Sequence, residues 1–508
     1  MNRYANTRPN VLLVVTDQQR YDTLGCYHNP HIDTPNLDRF AENGVLFENG
    51  YCQSPVCTPS RASFLTGRYP RTTRCRANGQ SMPPGERLIS RVLADHGYYC
   101  SLSGKLHLAP CGPTACPIHE KRIDDGFTDF HWAHNPSGIG NAGLPESGGT
   151  YWSGNEYSHW LFKQGKKYQS TDFDSKGYVK TGMDETYHFT KWCIDNAVDW
   201  IRYSAEEKRQ MPNFPSPPWF YSINLFDPHH AFDPPARLLE KYLKRADKLP
   251  LPAYLPGELK NKTIFQKLDH ENAYNNTSTP HHFSFDEMTG REHRMIKAAY
   301  YAMIELIDIQ FGRLMDTLEE TGQSDNTIVI FTSDHGEMLG DHGIYLKGPY
   351  FYEGMSHVPL LISWKDHFPG GRRLNTLTEL TDLVPTIEEF CLGRIEPGVQ
   401  GRSLAGILTG DQDPDSHRES IYCEYCEAMP WHTNPDAYGS MVYDGRYKLA
   451  RYCSSKEGEL YDLRTDPNEF CNLWDSPDHK DVKIHMLELL ADRLAETVDP
   501  LPLPTDKW

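Results

Sequence analysis

The 508-residue chain has no continuous apolar run of membrane-spanning length, which excludes a helical transmembrane anchor. It also lacks a secretory leader pattern. Val11-Leu12-Leu13-Val14-Val15 is too short for the apolar core of a signal, Asp17 follows at once, and there is no small-residue cleavage site. The expectation is a cytoplasmic protein. Basic residues are not in excess either: the formal net charge is −18, which argues against general nucleic-acid binding and against docking on an anionic membrane. A small anionic substrate stays open, because a pocket can be locally positive inside an acidic protein. No disulfide framework is visible. The 13 cysteines are odd in number and irregularly spaced, as expected of reduced, mostly buried thiols. Cys423 and Cys426 form a CxxC, but there is no second one and the flanking residues read as a strand, so core packing is expected there. Internal repeats and low-complexity tracts are absent as well.

What is present is ample core material, with 38% apolar and 12% aromatic residues over a length that suits one large domain and a smaller one. Val11–Val15, Tyr98–Leu102, Trp219–Leu225 and Ile328–Phe331 are short apolar runs with little alternation, as in strands buried on both faces. Helical periodicity lies between them, at Pro35–Asn43, Ile89–His96, Glu185–Tyr203 and most clearly Met295–Glu320, which stops at Gly322. This alternation predicts an α/β fold with a large, mostly parallel sheet sandwiched by helices. Each of the four runs is followed by polar residues, and ligands of such folds gather beyond the carboxyl ends of the strands. Asp17, Lys105, His107, His229, Asp334 and His335, from four distant parts of the chain, are therefore expected on one rim.

After about residue 395 the pattern changes to short strands, Ile421–Tyr425, Met441–Tyr443, Tyr447–Tyr452 and Glu459–Leu463, with Asp444-Gly445 as a hairpin signal and an amphipathic helix near Val482–Thr497. We expect residues 1–395 to form the main domain and 396–508 a smaller α+β domain with an antiparallel sheet that contributes to the substrate pocket. Two long irregular stretches, His131–Gly182 and Leu249–Glu292, have the length of functional loops.

Residues 57–68 read Cys-Thr-Pro-Ser-Arg-Ala-Ser-Phe-Leu-Thr-Gly-Arg. The core C-x-P-x-R alone is a weak signal, but the longer string resembles the signature of the type I, formylglycine-dependent sulfatases of the alkaline phosphatase superfamily. Further blocks are similar along nearly the whole chain: Thr16-Asp17-Gln18, Gly104-Lys105-Leu106-His107, Asp227-Pro228-His229, Ser333-Asp334-His335-Gly336-Glu337, Lys347-Gly348, Tyr352-Glu353-Gly354, and Leu460-Tyr461-Asp462-Leu463 with Asp466-Pro467-Asn468-Glu469. Asp-Pro-His-His and the missing leader resemble cytoplasmic bacterial sulfatases of the YidJ type.

The chemistry of a sulfate monoester explains why such residue types belong together. Its oxygens must be neutralised, its sulfur attacked by a strong nucleophile and its leaving oxygen protonated. A hydrated aldehyde carries two hydroxyls on one carbon, one to attack sulfur and one whose deprotonation expels sulfate. The resemblance implies that Cys57 is converted to formylglycine by a separate maturation enzyme. It also implies that Asp17, Gln18, Asp334 and His335 bind one divalent metal ion together with residue 57. Calcium is the first expectation, with Mg²⁺ or Mn²⁺ as alternatives; a histidine ligand is unusual for calcium. Arg61 would hold the formylglycine hydrate, Lys105 and Lys347 would contact sulfate oxygens, His107 would take the proton that releases sulfate, and His229 would be the general acid. Gln18 departs from the commoner second aspartate and removes one negative charge.

Each of these residues also has a plainer reading. Asp17 and Asp334 can cap helices, and a lone histidine or loop lysine is unremarkable; the case rests on their conjunction. A phosphonate monoester or phosphodiester hydrolase of the same superfamily is the rival enzyme reading, and an inactive anion-binding homologue the non-enzymatic one. A two-metal phosphatase fits less well, because lysines stand where further ligands would be needed. The ester itself is not legible. Arg68, Arg71, Arg74 and Arg76 suggest either a positive rim or a solvated basic turn. Tyr151, Trp152, Tyr157, Trp160, Trp431 and His432 suggest either stacking surfaces or loop packing. A small sulfated sugar or aryl sulfate suits a cytoplasmic enzyme.

Overall fold

A computed structural model of the protein describes residues 8–502 apart from 113–118, 138–153, 212, 214–215, 272–282 and 431. Tyr151, Trp152 and Trp431 therefore lie outside the described residues. The strands in chain order are β1 (Asn10–Asp17), β2 (Val45–Tyr51), β3 (Tyr99–Gly104), β4 (Asp129–Trp132), β5 (Thr171–Asp172), β6 (Lys180–Thr181), β7 (Trp219–Pro228), β8 (Thr327–Ser333), β9 (Leu360–Trp364), β10 (Arg372–Glu379), β11 (Ile421–Cys426), β12 (Tyr438–Tyr443), β13 (Tyr447–Tyr452) and β14 (Gly458–Asp462).

Eight of them form one sheet in the order β10-β2-β9-β8-β1-β7-β3-β4. All neighbouring pairs are parallel except the two that involve β9, so β9 alone runs against the rest. The reason lies in the connection. Parallel neighbours need a crossover, and the long helices Phe189–Gln210 and Gly290–Glu320 lead into β7 and β8 in this way. The β8–β9 connection instead loops over the strand ends without a crossover helix and returns antiparallel.

Strand β1 is buried throughout, and its side chains alternate between two cores. Leu12 and Val14 meet the face covered by Phe189–Gln210 and Gly290–Glu320. Val11, Leu13 and Val15 meet the face that receives Phe64 and Leu65 of helix Cys57–Thr66, together with helices Ile89–Asp95 and Leu383–Leu392. This two-sided burial explains why the run showed no alternation in sequence.

Two helices begin elsewhere than periodicity indicates. The long helix starts at Gly290, five residues before the periodic stretch, because Thr289 and Glu292 form a reciprocal capping box. The segment expected as one helix from Glu185 is split: a single turn, Glu185–Tyr187, precedes Phe189–Gln210, and extended His188 caps the second through Nδ1. The long stretch 131–182 is not wholly irregular, since it carries the end of β4, helix Glu156–Lys163 and the β5–β6 ribbon.

Strands β11–β14 form a four-stranded antiparallel sheet covered by helix Lys480–Glu496. Asp444 makes its hairpin turn by accepting bonds from Arg446 N (2.8 Å) and Tyr447 N (2.6 Å), with Gly445 at φ +91°. Cys423 is buried in the core beneath this sheet, and no disulfide joins any two of the described cysteines.

A buried polar cluster fastens this segment to the end of β10. Asp382 accepts from Arg402 N (2.7 Å), His417 Nε2 (3.1 Å) and Arg418, while Glu379 pairs with Arg418 (3.1 Å) and Arg493 (2.8 Å). Burial opposes the charge of Asp382, but Arg418 and then His417 outweigh it and hold the carboxyl at about 2, against 3.8 for a free side chain. A folded-state pKa below the unfolded one stabilises above the unfolded value and is lost as pH falls through the folded one. Acid should therefore weaken this junction between about pH 4 and pH 2, and Asp382→Asn should flatten that part of an acid-unfolding curve while lowering stability at pH 7 by about 3–5 kcal/mol, the usual cost of orphaning a buried partner.

Candidate active site

The carboxyl ends of four adjacent parallel strands, β8, β1, β7 and β3, deliver the polar residues expected on one rim. Asp17 closes β1, Lys105 follows β3, Asp227 and Pro228 close β7 before His229, and Asp334 and His335 follow β8. Helix Cys57–Thr66 sets its first residue, Cys57, at the same rim, and all ten of its residues are buried. Gly104 is required at the end of β3: its φ is +99°, and a Cβ there would lie 2.0 Å from the Asn224 carbonyl oxygen. After His335 the chain again runs against backbone, and a Cβ on Gly336 would lie 1.9 Å from the Gly354 carbonyl.

Cys57 Sγ is the focus of the arrangement. His335 Nε2 lies 3.2 Å from it, Lys347 Nζ 3.0 Å and Asp17 Oδ1 3.7 Å. Burial and Asp17 push the thiol up, but Lys105, Lys347 and His335 outweigh them and bring it down to about 7. Arg61, four residues along the same helix, donates from Nε to Asp334 (2.8 Å), from Nη2 to Asp17 (3.4 Å) and from Nη1 to the Lys105 carbonyl (2.8 Å). Lys105 Nζ donates to Asp17. Burial opposes the charge of Asp17, yet Lys105, Arg61 and Lys347 together hold it well below the usual carboxylate range.

Gln18 has a left-handed backbone, φ +67°, so that its N–H reaches Asp334 Oδ1 (3.0 Å) while its side-chain oxygen accepts from Lys347 (2.8 Å) and its amide nitrogen donates to Glu337. Glu337 carries no role in the sequence reading, although it stands in the same block as His335. Here it is fully buried and also accepts from Leu339 N (2.9 Å) and Leu346 N, which sets the loop that carries Lys347.

The histidines are placed differently. His335 Nδ1 lies 2.8 Å from the Gly336 carbonyl, so Nδ1 carries a hydrogen and Nε2 faces Cys57. Burial opposes its charge, but Asp334 outweighs it, with Cys57 adding to the effect, and holds His335 up at about 9. Burial pushes His107 well below its ordinary value, and Lys105 pushes it further. His229 is lowered by burial and by Lys347, and its Nδ1 faces the His230 carbonyl, leaving Nε2 without a hydrogen in the neutral ring.

The donor set fits a divalent cation. Atoms of Asp17, Cys57, Asp334 and His335 lie within 4.8 Å of one another, all four are buried, and Gln18 adds an amide oxygen beside them. Two carboxylates and an amide suit a hard ion, and the Nδ1 bond of His335 to the Gly336 carbonyl leaves Nε2 as the nitrogen that gives up its proton to take one.

Other residues suggested by the sequence are used elsewhere. Arg68 is buried and paired with Glu86 (3.2 Å) and Asp499 (2.8 Å), and Arg71 is paired with Glu424 (2.6 Å). Arg74 is exposed, so these arginines form neither a continuous positive rim nor a wholly solvated turn. Tyr157 is buried against Phe189 and Trp192, with Trp160 packed beside it, and His432 bonds Tyr425 OH at 2.7 Å.

Fold and site together define an α/β enzyme with one buried nucleophile ringed by three cationic side chains, suited to an anionic ester. The Sulfatase family model matches residues 9–390, and the model for the C-terminal part of N-sulphoglucosamine sulphohydrolase matches 340–496. The chain belongs to the sulfatase family and is a sulfuric ester hydrolase. It is 29% identical over 496 residues to an arylsulfatase of Clostridium perfringens, covering 96% of this chain and 94% of that one. It is also 29% identical over 506 residues to an uncharacterised sulfatase, YidJ, of Escherichia coli, covering 97% and 88%. Among solved structures, a phosphonate monoester hydrolase of Agrobacterium radiobacter superposes with a TM-score of 0.78 at 24% identity, covering 97% of each chain. No described helix is long and apolar enough to cross a membrane.

Proposed function

We propose that this sulfatase hydrolyses a small aryl or carbohydrate sulfate monoester through a formylglycine made from Cys57, with one divalent metal ion. The observation that carries this reading is the buried Cys57 with Lys347 at 3.0 Å, Lys105 among the cations that lower its thiol, and Arg61 on the same helix paired with the two nearby carboxylates. Calcium is the first candidate ion, with Mg²⁺ or Mn²⁺ also compatible, held by Asp17, Gln18, Asp334, His335 and residue 57. When bound, it polarises sulfate oxygens and favours the ionised nucleophile. The formylglycine hydrate supplies a nucleophilic hydroxyl and a second hydroxyl whose deprotonation releases sulfate.

The chain's own residues do the rest. Lys105 and Lys347 take sulfate oxygens, and Arg61 orients the hydrate. His107, neutral because it is buried beside Lys105, is ready to accept a proton. His229 acts as general acid only after gaining a proton at Nε2, which an arriving anionic ester favours by offsetting Lys347. Residues 396–508 are assigned to the smaller domain at the pocket, after a main domain of 1–395. A formylglycine-generating enzyme is the transient partner, and the cytoplasm is the proposed location. Nucleic acid and membrane play no part in this reading.

The test compares kcat/KM for p-nitrophenyl sulfate and a p-nitrophenyl phosphonate monoester on matured enzyme. Preference for the sulfate is expected; preference for the phosphonate would put that chemistry first. Chelation should remove turnover of the sulfate ester, and stoichiometric Ca²⁺, followed by mass spectrometry under native conditions, should restore it with one ion per chain. Full activity in a metal-free protein would sink the metal assignment.

A further inference from the structure

Beside the active site lies a second group of ligating side chains, of which the proposed reaction uses only His107. His107, Cys111 and His134 each bring a ring nitrogen or sulfur within 4.8 Å of the other two. The two imidazoles meet edge to face, with centroids 4.7 Å apart and planes at 62°. Both Nδ1 atoms are buried and have no hydrogen-bond partner, an arrangement that costs free energy unless something fills it.

The group is held in place by a buried carboxylate. Glu120 accepts from His107 N (2.7 Å), Leu108 N (2.7 Å) and the indole of Trp132 (2.8 Å), and so ties the loop after β3 to the end of β4, two residues before His134. Cys111 Sγ donates to the Ala109 carbonyl (2.9 Å), with Glu120 Oε2 3.5 Å from it. Cys111 and His107 are buried, while His134 is partly exposed and offers a way in.

We propose that His107, Cys111 and His134 form a second metal site, for a borderline, thiophilic cation of the Zn²⁺ class, whose occupation inhibits the enzyme. Two imidazoles and a thiolate match such an ion and disfavour Ca²⁺, which takes oxygen donors; the oxygen-rich cluster at Asp17 and Asp334 has the opposite preference. Inhibition follows from the ring itself. A neutral imidazole has one nitrogen lone pair to give, and a cation on Nδ1 obliges Nε2 to carry the hydrogen, so His107 can no longer accept a proton there. This inhibitory half rests on the role proposed above for His107; the binding half does not.

The test uses Co²⁺ as a spectroscopic probe on Ca²⁺-loaded protein. In a Cys57→Ser background, which removes the other thiol near a metal cluster, one equivalent of Co²⁺ should give a thiolate-to-cobalt charge-transfer band. Adding Cys111→Ser should abolish it, with circular dichroism unchanged. In matured enzyme, Cys111→Ser and His134→Asn should keep basal turnover and lose Zn²⁺ inhibition by more than the roughly 10–100-fold that removing an outer hydrogen-bond partner costs a metal site. A band that survives Cys111→Ser, or none in the Cys57→Ser protein, overturns the site. The expected band with turnover indifferent to zinc overturns the inhibitory half and the base role of His107, while the metal site stands.

Discussion

Cys57→Ala should abolish sulfate-ester turnover, lowering kcat/KM by on the order of 10⁴–10⁶, the range seen when a nucleophile is deleted from a constellation that acts as a unit. The fold should survive, because Cys57 opens a helix whose other residues keep their packing: Phe64 and Leu65 remain in the core, and Arg61 remains bonded to Asp17 and Asp334. Peptide mass spectrometry of matured wild-type protein should find residue 57 about 18 Da lighter than cysteine, the difference between a thiol side chain and an aldehyde. Cys57→Ser separates two effects. It keeps a hydroxyl for attack but lacks the second hydroxyl that expels sulfate, so one turnover with a trapped sulfate ester is the expected limit. Full turnover by Cys57→Ala would remove the nucleophile assignment altogether.

Arg61→Leu should be costly twice over. The guanidinium is buried between two carboxylates that are also fully buried, and its third contact is the Lys105 carbonyl. Removing it leaves Asp334 without its closest cation and Asp17 with fewer, a loss of about 3–5 kcal/mol by analogy with other broken buried pairs. Activity should fall as well, by about 10²–10³, as for other groups that orient or stabilise charge in a water-poor site. Arg61→Lys keeps the charge but not the planar fork, and should recover part of the stability with little of the rate. Added divalent cation should raise the melting temperature of Arg61→Leu more than that of the wild type, because it replaces positive charge between the same carboxylates. Equal shifts would mean that the ion does not sit there.

The fold was legible where hydrophobic pattern and strand length leave little choice. Val11–Val15 and Ile328–Phe331 read as doubly buried strands because neither face of the central sheet meets water, and β1 indeed feeds both cores. The split at His188 and the early start at Gly290 were not legible from periodicity, since both depend on side-chain caps rather than on the apolar stripe. Glu337 is hidden in the sequence for a similar reason. An acidic residue near a motif reads as solvated until the loop of Lys347 is seen folding over it and donating backbone N–H groups to it.

By itself the sequence determined the residue types of the site and their places at strand ends, because the nucleophile motif, the acid–histidine pair and the lysines are local strings. It also determined the class of fold, because burial on two faces imposes an apolar run that a one-sided strand does not need. Only the tertiary structure decided which of these residues meet. Asp17 and Asp334 are more than three hundred positions apart, yet Arg61 bridges them because β1 and β8 are neighbours in the sheet. It likewise took Arg68 and Arg71 away from any open rim by giving each a carboxylate partner, and it set His134 against His107 through the β3–β4 pairing. Strand order and long-range ion pairing depend on contacts between distant segments, and no local pattern in a single chain records them.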